Sequence, residues 1–193
     1  MGEAEHVNFA ALTIDQVREN LDRIAADAGS TFGSLSARQL NWRPDAVRWS
    51  VAQCLEHLVQ TNRAMCLAFH RAADPGRPRT RWQRLPVVPR VFGRLLISSQ
   101  APTAKRKFTA VPAVSPPSDV DPGVIERFIA AQRDVSGLTV SLGDRDLETT
   151  IMVSPFVSWI TYSVLDGLRL VVAHDLRHLQ QAKHVTDSAG FPA

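Results

Sequence analysis

Cysteine is scarce in this 193-residue sequence, which contains only Cys54 and Cys66. Two thiols are too few for the disulfide framework of a small secreted domain or for a thiolate zinc finger. The N-terminus carries no signal-peptide pattern, and charged residues interrupt the longest apolar stretches, so no segment is expected to span a membrane. We therefore expect one domain over residues 1–193, cytoplasmic and without a membrane partner.

Acidic residues are absent from residues 75–118, a segment that carries nine lysines and arginines. We call this segment the basic insertion. Such a charge block can attract an anionic small molecule, nucleic acid or an anionic membrane, and it can equally be a solubilising loop face. Nucleic-acid binding through residues 77–107 is not expected, because no helix-turn-helix or base-stacking motif accompanies the charge.

Strand patterns are almost absent, since Thr149–Val153 is the only strand-like run and is too isolated to build a sheet. Helical periodicity dominates instead, in four apolar stripes that begin near Ile14, Val51, Val124 and Val164. Each stripe must be covered by another helix. The pattern predicts an all-α fold, a four-helix bundle with a long crossover insertion between helices two and three.

Local signals refine the positions of these helices. Thr13 with Gln16 and Ser50 with Gln53 have capping-box spacing, which marks the starts of the first two helices. The crossover insertion is expected to contain a short helix near Pro89–Ser98, and the last helix is expected to be entered through Thr161.

Histidine is the residue type that points to chemistry. His174 and His178 are four residues apart on the last predicted helix and therefore share one face, while His57 lies on the core-facing stripe of the second. Burying a polar ring without a partner costs about 1–3 kcal/mol. One shared divalent cation would satisfy all three rings; the alternative is that each is an ordinary core histidine bonded to a carbonyl or a neighbouring side chain.

A three-histidine site would also leave coordination positions open for water or substrate, unlike a structural zinc site with four protein ligands. Neutral imidazoles suit Zn²⁺, Ni²⁺ or Fe²⁺. Either a bound water or a bound thiol could then become a nucleophile near neutral pH.

Other residues are weaker candidates for the site. Gln181 shares the face of the histidine pair and either lines a substrate pocket or faces solvent, and Cys54 either contacts the site or is an inert buried thiol. Glu56 and Asp175 are not expected to support the histidines that adjoin them in sequence, because adjacent helical residues point in different directions. The four tryptophans are interpreted as packing residues of the core or bundle ends.

Three motifs in this order resemble those of the DinB-like superfamily: Leu40-Asn41-Trp42-Arg43-Pro44, Trp49-Ser50-Val51-Ala52-Gln53-Cys54-Leu55-Glu56-His57-Leu58, and His174-Asp175-Leu176-Arg177-His178-Leu179-Gln180-Gln181. The resemblance implies a four-helix bundle, often dimeric, in which a divalent metal is bound at the positions of His57, His174 and His178. It also implies S-transferase or isomerase activity with a low-molecular-weight thiol such as bacillithiol, mycothiol or glutathione.

The leading hypothesis is a metal-dependent enzyme that uses a metal-bound thiolate or water against a small-molecule substrate. In this hypothesis the basic insertion helps to select an anionic substrate or thiol. The alternative is a metal-stabilised binding or sensor module without turnover, which would lack a pocket beside the metal. A homodimer is expected in either case.

Overall fold

The computed structural model describes residues 7–84, 87–104, 111–142 and 145–193. These residues form six α-helices and two short strands: α1 (Ile14–Phe32), α2 (Ala37–Asn41), α3 (Val51–Ala73), α4 (Val88–Gln100), α5 (Val124–Ser141), β1 (Ile151–Val153), β2 (Thr161–Ser163) and α6 (Val164–Thr186). None of the described helices is long and apolar enough to cross a membrane.

Four of the helices form the predicted bundle. Helices α5 and α6 each pack against both α1 and α3, so the all-α class and the four-helix bundle are confirmed. The predicted stripes supply the interior, which includes the fully buried side chains of Leu21, Ile24, Leu55, Leu58, Phe128 and Leu168. Burial of these apolar faces on one another is what holds the bundle together.

The chain between α3 and α5 makes a long excursion before it returns to the start of α3. Helix α4, which confirms the short helix predicted near Pro89–Ser98, packs on α6 and β2. On the return, the Gln53 side chain donates a hydrogen bond to the Pro117 carbonyl at 2.9 Å. An ion pair of 3.0 Å between Glu56 in the second turn of α3 and Arg127 in the first turn of α5 then joins the N-terminal parts of the two helices.

The starts of α1 and α3 follow the capping rules, and the two strands correct one prediction. Both predicted capping boxes are present, on Thr13 and on Ser50. The run around β1 is not isolated, because it pairs antiparallel with β2, a strand of only three residues that periodicity could not reveal. Thr161 therefore lies in this ribbon, and α6 begins at Val164 with the Ser163 hydroxyl capping the Asp166 amide.

Helix α4 approaches α6 closely at one glycine, and this contact yields a prediction on stability. A Cβ atom at Gly93 would lie 2.9 Å from Cγ and 3.0 Å from Cβ of Asp166, which is buried and paired with Arg169. We expect Gly93→Ala to lower the free energy of unfolding by about 1–3 kcal/mol in urea denaturation.

The matched control is Gly137→Ala in the middle of α5, where an added methyl group meets no atom within 4 Å. This variant should gain about 0.5–1 kcal/mol from helix propensity alone. Equal effects at the two glycines would contradict the close packing of α4 on α6.

Candidate metal centre

The structure brings the three predicted histidines together. His57 projects from α3, and His174 and His178 project from α6, which packs beside it. The ring centroids are separated by 5.1 Å (His57 to His174), 4.7 Å (His57 to His178) and 4.6 Å (His174 to His178). One nitrogen of each ring lies within 4.8 Å of the other two, a spacing at which three ligand atoms can share one ion.

The orientation of His57 is set by the returning chain. Its Nδ1 lies 2.7 Å from the backbone carbonyl of Val114, in the short turn Pro112–Val114. A carbonyl only accepts, so Nδ1 must carry the proton and donate it. The lone pair is then on Nε2, the atom that faces His174 at 3.3 Å.

Burial keeps the histidine rings neutral. The pKa of His174 falls to about 3, first because the ring is desolvated and then because His57 and Arg177 lie nearby. Desolvation, followed by the nearby His174, His57 and Arg177, lowers the pKa of His178 to about 2. Desolvation also lowers the pKa of His57 despite its bond to Val114. Neutral imidazole is the form that binds a metal.

The donor set fits a divalent cation on two further observations. Nδ1 of His178 is buried with no hydrogen-bond partner among the described residues. The Nε2 atoms of His57 and His174 lie 3.3 Å apart, where a proton on His174 Nε2 can be donated to the His57 lone pair and a cation can take the place of that proton. A cation would satisfy converging lone pairs of this kind, and three nitrogen ligands are those preferred by Zn²⁺ and similar ions.

Trp49 closes one side of the centre, contrary to its interpretation as a packing residue alone. Its ring lies 5.0 Å from that of His57 and stacks at 5.8 Å on that of His178. Trp49 reaches the centre because it immediately precedes Ser50, the N-cap of α3, and His57 lies two turns further along the same helix. Its aromatic surface restricts the histidine rotamers and excludes water.

A buried carboxylate lies behind the histidines in the centre of the bundle. Oδ2 of Asp175 accepts hydrogen bonds from Asn62 of α3 at 3.0 Å and from Gln132 of α5 at 2.5 Å. Its other oxygen, Oδ1, lies 3.9 Å from His174 Nδ1, which is beyond hydrogen-bonding distance. Burial raises the pKa of Asp175 to about 7. This network was missed in the sequence, where Asp175 is simply the neighbour of a ligand candidate.

An apolar cavity of about 300 Å³ opens beside the centre and includes all three histidines in its lining. Its walls are mainly apolar and aromatic: Trp49, Met65, Leu96, Val114, Phe156, Val157, Ile160 and Leu170. No lysine, arginine or carboxylate belongs to this lining within the described ranges. The basic insertion thus contributes apolar side chains to the wall, while its Lys105, Arg106 and Lys107 lie outside the described residues.

Neither of the weaker candidates, Cys54 and Gln181, belongs to the cavity lining. Cys54 is fully buried in the apolar core and is not part of the cavity lining, and its desolvation raises the pKa of the thiol. Gln181 is half-buried, and the proximity of its side chain to the His178 ring opposes part of the lowering of the His178 pKa. Glu56 pairs with Arg127 instead of a histidine, as expected.

Comparison with known proteins gives one match. The model of the DinB superfamily matches residues 13–182, which include the three histidines and the whole bundle except the end of α6. No curated protein and no solved structure matches the chain.

The low pKa values of the rings predict the pH dependence of metal binding. Protons compete with the metal only as the pH approaches the ring pKa, so three histidines of ordinary pKa would lose roughly a thousandfold in affinity between pH 8 and pH 5.5. With the pKa of His174 near 3 and that of His178 near 2, we expect a much smaller loss. Competition titrations of the metal-free protein with Zn²⁺ at pH 8 and pH 5.5 measure this loss of affinity. A full thousandfold loss would contradict the low pKa values and show that the rings are solvated.

The buried carboxylate predicts a large effect on stability. Asp175→Ala leaves the amides of Asn62 and Gln132 without their acceptor, so we expect the free energy of unfolding to fall by about 2–4 kcal/mol. Asp134→Ala, an exposed carboxylate on α5, should change it by less than about 0.5 kcal/mol. Urea denaturation of both variants measures the two free energies of unfolding. Similar losses in the two variants would mean that the Asp175 network does not stabilise the fold.

Proposed function

The chain belongs to the DinB superfamily, and we propose that it is a divalent-metal-dependent enzyme that transfers a low-molecular-weight thiol to an apolar electrophile. His57, His174 and His178 would hold the ion. A Zn²⁺, Ni²⁺ or Fe²⁺ ion there would act as a Lewis acid that lowers the pKa of a bound thiol or water.

The observation that carries the proposal is the shared wall between the histidines and the cavity. All three imidazoles belong to the lining of a space of about 300 Å³, so a small molecule in the cavity lies next to the ion site. Three protein ligands would leave coordination positions free for solvent or substrate, and the cavity supplies space beside the histidines for such a group. A structural metal would instead be enclosed by protein.

The remaining side chains of the cavity suggest how a substrate would be held. Leu96, Phe156 and Ile160 offer apolar surface for the body of an electrophile and keep water away from the reacting atoms. Asn62, Ser99 and Gln100 are among the few polar side chains in the lining and would orient the polar end of a substrate or thiol.

A binding or sensor module without turnover is the alternative function. It would need the same three ligands but no space beside them, and the cavity therefore favours the enzyme. Homodimerisation and a thiol of the bacillithiol, mycothiol or glutathione type remain predictions.

Activity against a simple electrophile tests the proposal. The untagged protein is loaded with each metal and mixed with each thiol and 1-chloro-2,4-dinitrobenzene, in which the thiol sulfur displaces chloride and the thioether is followed by absorbance. We expect acceleration with at least one thiol and a loss of more than about a hundredfold in His57→Ala and His178→Ala, because each removes a ligand. Elemental analysis should show that both variants lose metal.

His184→Ala is the matched control, since His184 is an exposed histidine on the last turn of the same helix α6. Its activity and metal content should equal those of the unmodified protein. A fully metal-loaded protein that accelerates the reaction with none of the thiols would contradict the proposal and favour the binding module.

A further inference from the structure

A second cleft lies at the opposite end of α3 from the histidines. It has a volume of about 250 Å³, and four arginines are part of its lining: Arg71, Arg77, Arg79 and Arg145. At 1.5 Å per residue, the 14 residues from His57 to Arg71 on α3 place the two sites roughly 20 Å apart. The arginine cleft is therefore separate from the candidate metal centre.

Three separate segments of the chain build the arginine cleft. Arg71 belongs to the last turn of α3, Arg77 and Arg79 to the loop that follows, and Arg145 to the segment after α5. The loop is fastened to the ribbon, because the Gln83 side chain donates a hydrogen bond of 2.7 Å to the Ile151 carbonyl. The cleft is thus a folded feature that the linear charge pattern of the basic insertion did not reveal.

The four arginines outnumber the acidic residues of the cleft, because Asp74 is the one carboxylate in the lining among the described residues. None of its four arginines forms a salt bridge there, whereas Arg18, Arg48, Arg127 and Arg169 all do. The carboxylate in the lining, that of Asp74, accepts the backbone amide of Gly76 at 2.9 Å and caps the local turn. The four arginines are exposed, so solvent screens their mutual repulsion, and an anion bound in the cleft would be attracted by all four charges.

Size and chemistry together define the ligand class. Guanidinium groups bind phosphate oxygens through paired hydrogen bonds. The Gln83 and Thr150 side chains of the same lining already donate to the Ile151 and Asp146 carbonyls, so the arginines are the groups that would hold the anion. A space of about 250 Å³ holds one or two phosphate groups and not a nucleic-acid strand. We propose that the arginine cleft binds the phosphate or pyrophosphate group of a soluble phosphorylated small molecule.

Calorimetric titration of the 193-residue protein with inorganic pyrophosphate tests this proposal. The titration is repeated in the presence of EDTA, which removes any metal ion from the histidines, so that pyrophosphate cannot bind to a metal there. We expect saturable binding in both conditions, and a loss of affinity of at least about tenfold in Arg77→Gln/Arg79→Gln and in Arg71→Gln/Arg145→Gln.

The control is Arg90→Gln/Arg94→Gln, which removes the same charge from exposed positions of α4 within the basic insertion. It should bind pyrophosphate as the unmodified protein does. An equal loss in this control, or unchanged binding in the cleft variants, would overturn the proposal, since diffuse charge would then be responsible. Binding to phosphatidylserine vesicles or duplex DNA without binding of free pyrophosphate would overturn it too.

Thiol transfer and metal content should be unchanged in all three double variants. This outcome keeps the test independent of the proposed function, because the cleft and the three histidines are separate sites.

Discussion

The hydrogen bond from His57 to the Val114 carbonyl joins the two parts of this fold on which the candidate site depends. It fixes the tautomer of His57, so that the Nε2 lone pair points toward the α6 histidines. It also fastens the returning segment to α3, and Val111 and Val114 of that segment form part of the cavity wall. A second-layer partner of this kind orients a metal ligand and sets its basicity. One backbone carbonyl thus connects ligand geometry to the shape of the adjacent pocket.

Burying polar groups in the interior of the bundle costs free energy, and this cost is offset differently at Asp175 and at the three histidines. Asp175 is stabilised by donors from two other helices and ties α3, α5 and α6 together. Asp175 Oδ1 and His178 Nδ1 both lack a hydrogen-bond partner among the described residues, but only His178 belongs to a cluster of three rings whose ligand nitrogens lie within 4.8 Å of one another. A bundle selected for stability alone would not bury three imidazoles around one point, since desolvating these polar rings costs more free energy than one hydrogen bond between two of them returns. This imbalance is the physical reason to place a cation there.

The sequence predicted the bundle and the convergence of the histidines because both follow from helical period. Residues on core-facing stripes must meet when the stripes pack, and His57, His174 and His178 lie on such stripes. Features that depend on loops were not predictable: the Val114 carbonyl carries no side-chain signal, and the arginine cleft joins Arg71 to Arg145 across 74 positions of the chain. The rule for adjacent helical residues correctly separated Asp175 from His174, yet it could not show which helices the carboxylate would bridge.

X-ray absorption at the metal edge tests the central claim most directly, because it counts the imidazoles around the ion. For the protein loaded with one equivalent of Zn²⁺, our account predicts three histidine nitrogens at about 2.0–2.1 Å, together with at least one ligand from solvent. His57→Ala should remove one imidazole from that shell, whereas His184→Ala should leave the spectrum unchanged. A shell of oxygen ligands with one imidazole or none would contradict the shared site, even if zinc remained bound to the protein.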